Sequence, residues 1–75
     1  MTTKSIAHAV RYCRKQSGLS QAHLAMLAGV GKTVVFDIEK GKTTIQMDSL
    51  LKILNALNIR LTLNTPIPLP PEENK

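Results

Sequence analysis

The 75-residue chain has a single cysteine, Cys13, which excludes a disulfide framework and any multi-cysteine metal site. Aromatic rings are nearly as scarce: Tyr12 and Phe36 are the two it has. Two rings make a poor base-stacking platform of the kind that single-strand binders use. No apolar run approaches the roughly 18 residues of a membrane span, and the opening MTTKSIAHAV lacks the long apolar stretch of a signal peptide. The expected setting is cytoplasmic, with no membrane partner. Acidic residues are also few, five against ten Lys and Arg, for a net charge of +5. Seven of the basic residues and only two acidic ones fall within residues 1–42. A basic balance so placed on a small domain suggests a polyanionic partner, nucleic acid first. With 43% apolar residues the composition is that of a globular domain. A chain this short buries only about 60% of its unfolded surface, so oligomerisation is a common supplement.

Hydrophobic periodicity divides the chain into four helices and a different ending. Ile6, Val10 and Cys13 recur at helical spacing within residues 5–17, with Ser5 as a cap, Arg11, Arg14 and Lys15 off the stripe, and Gly18 as the stop. Ser20 caps a second helix, Gln21 to Ala28, expected to turn Leu24, Leu27 and Ala28 inward. After Gly29-Val30-Gly31, a third helix runs from Lys32 to Lys40, burying Val35 and Ile38, and Gly41 ends it. Lys42-Thr43-Thr44 connects to a fourth, Met47 to Leu57, with Met47, Leu50, Leu51, Leu54 and Leu57 on its apolar face and Asn58 as its stop. The period then becomes two: Ile59, Leu61 and Leu63 alternate with Arg60, Thr62 and Asn64, which predicts a strand. A lone strand leaves a row of backbone groups unpaired, and the same strand of a second copy is its cheapest partner. Thr65 to Lys75 holds all four prolines and reads as an extended or disordered tail.

The block from Ser20 to Gly41 carries the chemistry. Two short helices joined by about three residues, with Gly29 in the turn and small Ala25 where the helices meet, form the pattern of a helix-turn-helix. The second helix of such a unit packs steeply, protrudes, and fits a major groove about 12 Å wide. Gln21, Lys32, Thr33 and Lys40 are donors at helix starts or on its exposed face.

The run Leu19-Ser20-Gln21, Leu24-Ala25, Gly29-Val30, Val35, Ile38-Glu39, Gly41-Lys42 and Leu50 to Leu57 resembles the Xre/Cro/phage-repressor helix-turn-helix family over about residues 5–58. The ending Leu57 to Leu63 narrows the likeness to the HipB-type antitoxins, proteins that dimerise partly through a short C-terminal strand, repress their own operon and bind a HipA-type serine/threonine kinase toxin. The fold implied is all-α: a lambda-repressor-like four-helix helix-turn-helix domain over 1–64. A C-terminal strand, Ile59, Arg60, Leu61, Thr62 and Leu63, pairs across a homodimer, and a Pro-rich tail occupies 65–75. The resemblance puts Lys32, Thr33, Phe36 and Asp37 at base edges of an inverted-repeat DNA operator, and Gln21, Lys40, Lys42, Thr43 and Thr44 on its backbone. Asp37 departs from the more usual Gln, Asn or Arg; it either accepts from cytosine N4 or merely repels phosphate. Phe36 has three uses open to it: a thymine methyl, the dimer contact, or Val34. Arg14 and Glu39 match the family's partly buried ion pair, a structural element. An alternative reading makes the chain mainly a protein-interaction module for the kinase toxin, with the acidic Pro70-Pro71-Glu72-Glu73 segment as a docking element.

Other signals are weaker. Gly29-Val30-Gly31-Lys32-Thr33 suggests the end of a phosphate-binding loop, but Met26 stands where that pattern needs its first glycine. His8 and His23 lack a third ligand at metal-binding spacing. Cys13 reads as a small core residue, and Met26 as packing. No acid–base or nucleophile–base set is evident, so neither enzyme activity nor a cofactor is expected.

Overall fold

The computed structural model describes residues 2–72. The chain forms α1 (Thr3–Gln16), α2 (Gln21–Ala28), α3 (Lys32–Glu39) and α4 (Met47–Ala56). All four contribute to one core: Val10 from α1, Leu24 and Ala25 from α2, Val35 and Ile38 from α3, Ile53 and Leu54 from α4. Burying each large member contributes roughly 1.5–3 kcal/mol. α3 is the hub, packed against both α1 and α2, while α4 closes the far side against α2.

All four helices stop in the same way. Gly18, Gly29, Gly41 and Asn58 take φ of 72°, 75°, 79° and 59°. The residue after each donates its N–H to a carbonyl five residues back: Leu19 to Arg14, Val30 to Ala25, Lys42 to Asp37 and Ile59 to Leu54, at 3.1, 3.0, 3.1 and 2.9 Å. This left-handed exit satisfies carbonyls that the helix end would otherwise orphan. The sequence assigns each of these four residues to a helix stop, and the left-handed turn is what makes each one a stop.

Elsewhere the structure corrects the sequence reading. α1 begins earlier than expected: Thr2, not Ser5, is its cap, and the Thr2 hydroxyl accepts from the Ser5 amide at 3.1 Å. Ser20 caps α2 as expected, accepting from the His23 amide at 3.0 Å. The inner face of α1 is Ala7, Val10 and Arg14, leaving Cys13 only half-buried. α2 turns Leu24 and Ala25 inward, so Met26 and Leu27 are exposed. α4 buries Ile53 with Leu54, while Met47 and Leu51 face outward. No strand forms among the described residues; Ile59 to Leu63 lack a partner within the chain to supply ladder hydrogen bonds. Leu61 is 39% and Leu63 80% exposed. The end of the tail, Glu73 to Lys75, lies outside the described residues, and with it part of the acidic segment.

Among the described residues no helix is long and apolar enough to cross a membrane, and no group of three His, Cys, Asp or Glu side chains is placed to hold a metal ion. His8 and His23 are both exposed.

Candidate nucleic-acid interface

α3 is short, and two inward residues anchor it. Val35 and Ile38 are buried at its back, which leaves Lys32, Thr33 and Phe36 exposed and Asp37 half-buried at its front. Gly31 precedes α3 in extended conformation, and no side chain caps its first turn. The α2–α3 turn needs its left-handed residue: a side chain at Gly29 would meet no neighbour, so φ alone selects glycine there.

A buried ion pair fixes α3 against α1 and α2. Arg14 Nε donates to Glu39 Oε2 at 2.6 Å and Arg14 Nη2 to Oε1 at 2.9 Å, a two-point contact. Arg14 Nη1 donates to the Leu19 carbonyl at 2.9 Å, and Gln21 Nε2 to Glu39 Oε1 at 3.2 Å. The two charged side chains are only 11% and 5% exposed. Burial pushes the Glu39 carboxyl up, but hydrogen bonds from Arg14 and Gln21, with the charges of Arg14 and Arg11, hold it below its ordinary value. The hydrogen bond to Glu39 raises Arg14 in turn, against the cost of its burial. One carboxylate thus ties the start of α2 and the last turn of α1 to the end of α3. Among the described residues no buried side-chain N or O lacks a partner.

Lys32 and Thr33 stand exposed at the start of α3, and the other expected contact residues fall into two groups around this clamp. Gln21, Phe36 and Lys40 line one cleft of about 250 Å³ with Arg11, Arg14 and Glu39. Lys40 Nζ lies 5.0 Å from the Phe36 ring centroid, a cation–π contact that braces the 46%-exposed ring against α3. On the other flank Lys42 Nζ is 3.4 Å from Asp37 Oδ2. Asp37 therefore already has a cation beside it, which offsets its repulsion of an approaching phosphate. Thr43 and Thr44 are exposed in the connection that follows.

The involvement of Gln21 in the clamp is absent from the sequence reading, because its partner lies 18 residues away. The pairing of Asp37 with Lys42, five residues on, is local but is also absent from the sequence reading.

A family model described as helix-turn-helix matches residues 10–64. An uncharacterized HTH-type transcriptional regulator, y4mF, of Sinorhizobium fredii is 37% identical over 65 residues, spanning 87% of this chain and 86% of that protein. A second such regulator, from Haemophilus influenzae, is 42% identical over 50 residues; the match spans 67% of this chain and about half, 51%, of that protein. Among solved structures, a chain of a HipA–HipB–O2–O3 complex superposes with a TM-score of 0.79 at 24% identity, covering 89% of this chain and 94% of that one. A chain of a HipB–O2 20mer complex gives 0.78 at 25% identity, with 89% and 93% covered.

Proposed function

Since the chain belongs to the Xre/Cro-type helix-turn-helix family, we propose that it is a dimeric, sequence-specific DNA-binding repressor. The observation that carries this reading is the front of α3: Lys32, Thr33 and Phe36 exposed on a short helix held by Val35, Ile38 and the Arg14–Glu39 clamp. In a major groove, Lys32 donates to guanine O6 or N7, Thr33 contacts a base or a thymine methyl, and the braced Phe36 ring offers an apolar surface to a thymine methyl. Asp37 is the fourth residue at the base edges. Lys40, Lys42, Thr43, Thr44 and the start of α2 at Gln21 contact phosphates, and released counterions supply much of the affinity.

Residues 1–64 form the DNA-binding and dimerising domain, and 65–75 a separate Pro-rich tail. The dimer forms where the chain is least complete. Ile59 to Leu63 alternate in polarity, and Leu51, Leu54, Ile59 and Leu61 surround one groove at the end of α4. An antiparallel pair of these segments across a two-fold axis fills that groove and completes both ladders. Two-fold symmetry then requires an inverted-repeat operator with half-site centres about 34 Å apart.

More narrowly, the chain acts as a HipB-like antitoxin that represses its own operon and binds a HipA-type serine/threonine kinase toxin. This is supported by the likeness to a chain of a complex that contains HipA. A second reading from the same likeness makes toxin binding the main activity and DNA binding secondary.

The test is binding to the DNA upstream of its own gene, against scrambled DNA of equal length, over a salt series. Repression predicts tight binding to the first with a steep salt dependence. Equal, weak binding to both contradicts it and favours the protein-interaction reading.

A further inference from the structure

α1 is more basic than its packing requires. The chain has no Asp or Glu before Asp37. Lys4, His8, Arg11 and Lys15 follow one another at i, i+4, i+7 and i+11, so they form a single row along α1, and all four are exposed. The ion pairs among the described residues are Arg14–Glu39, Lys42–Asp37 and Lys52–Asp48, so none of the three cations in the row is paired there. Like charges at this spacing repel one another. Lys4 also stands in a first turn without an acidic residue, where it opposes the helix dipole. Arg11 gains from the charge of Glu39 and Lys15 from the C-terminal end of the helix dipole, but neither makes an ion pair among the described residues, so both exposed cations are open to an anionic ligand outside the chain.

The row is continuous with the front of α3. Arg11 joins two clefts: one shared with Gln21, Phe36 and Lys40, the other with His8, Tyr12 and Lys15. The His8 and Tyr12 rings stack beside it, with centroids 6.4 Å apart and planes 18° from parallel. At the other end of the row, α1 lies over the turn that ends α3: a Cβ at Gly41 would meet the Lys4 Cγ and the Thr3 carbonyl at 3.9 Å. α1 thus lines the flank of the candidate DNA surface, on the side where α2 begins. Arg11 and Lys15 are about 6 Å apart along the helix axis. Successive phosphates of one strand lie about 3.4 Å apart along the duplex, within the adjustment that two long side chains allow.

We propose that Arg11 and Lys15 grip DNA phosphates just outside the half-site that α3 enters, lengthening the footprint without reading sequence. The assignment rests on the DNA-binding reading above and adds a contact surface to it. Neutralising a phosphate contributes about 0.9 to the slope of log affinity against log salt concentration. Arg11→Gln and Lys15→Gln should each lower that slope by about one on the duplex upstream of the gene, and together by about two, weakening all operator variants alike. The charge-conserving pair Arg11→Lys with Lys15→Arg should keep the wild-type slope, and so should Lys52→Gln on α4. Trimming the duplex until it ends at the half-sites should erase the difference between wild type and the double Gln variant. A wild-type slope in the double Gln variant, with wild-type protein binding the duplex, overturns the proposal and leaves the row to an acidic protein surface. Failure of wild-type protein itself to bind the duplex overturns the DNA reading along with it.

Discussion

Residues 2–42 and residues 57–72 solve the same physical problem to different degrees. In the first region the apolar anchors of α1, α2 and α3 are buried, and the buried arginine meets a carboxylate. What remains outside is mainly polar and basic, apart from a few apolar side chains such as Tyr12, Met26, Leu27 and Phe36. In the second region Leu61, Leu63, Ile67 and Leu69 are all exposed, and no strand pairs with Ile59 to Leu63 among the described residues. The contrast teaches that the first region is structurally complete within one chain, while the second leaves its apolar side chains exposed and, under the proposed dimer, gains its cover from a second copy. Surface changes in the first should therefore alter binding and not folding, and changes in the second should alter assembly.

The largest effect belongs to the clamp. Glu39→Ala leaves Arg14 buried without its partner and should cost about 3–5 kcal/mol, measured by urea unfolding near neutral pH. The pH dependence has a definite sign. The native Glu39 carboxyl lies below its ordinary value of 4.5, so its stabilisation is complete above that value and fades as pH falls through the native one. Wild type and Glu39→Gln should therefore converge in stability on acidification. A difference that stays constant into strong acid would show that the pair contributes nothing through its charge.

A comparable loss, of assembly rather than fold, is expected at the other end. Leu61→Asp with Leu63→Asp should turn a dimer into a folded monomer in sedimentation and weaken operator binding with it. An unchanged sedimentation profile would break the contrast between the two regions, because the exposed leucines would then need no partner copy.

The legibility of the sequence follows the same division. Most local signals are read correctly, Ser20 as a cap, Gly18, Gly29, Gly41 and Asn58 as stops, and Val35 and Ile38 as anchors, because each rests on a residue and its near neighbours; Ser5 is the exception, since Thr2 caps α1. The faces of α2 and α4 are not readable in the same way. Gln21 to Ala28 is apolar nearly all round, so periodicity does not separate buried Leu24 and Ala25 from exposed Met26 and Leu27. α4 has so many apolar positions that Ile53, fully buried, is missing from its predicted face while exposed Met47 is included. The inward turn of Arg14 contradicts its polarity; the explanation is Glu39, 25 residues away. For the same reason the pairing of Arg14 with Glu39 comes from family resemblance and not from pattern. The alternation of Ile59, Leu61 and Leu63 is real, but a strand needs a partner that one chain does not contain.

Two smaller predictions sharpen the claim that the first region is complete. Lys32→Ala should leave the unfolding midpoint unchanged while costing about 1–3 kcal/mol of operator affinity, with relaxed preference at one base position. Uniform loss across operator variants would make Lys32 a phosphate contact instead. Lys42→Ala breaks an exposed pair, 3.4 Å from Asp37 and 52% exposed on the lysine side, so it should change stability by less than about 1 kcal/mol. A larger loss would mean that the turn after α3 depends on that pair.

The most direct test of the whole account is a hydroxyl-radical footprint of the protein on the DNA upstream of its gene. The account predicts two protected patches related as an inverted repeat, with centres about 34 Å apart along the duplex, one for each copy of α3. A single patch, or protection indistinguishable from that on scrambled DNA, would contradict it.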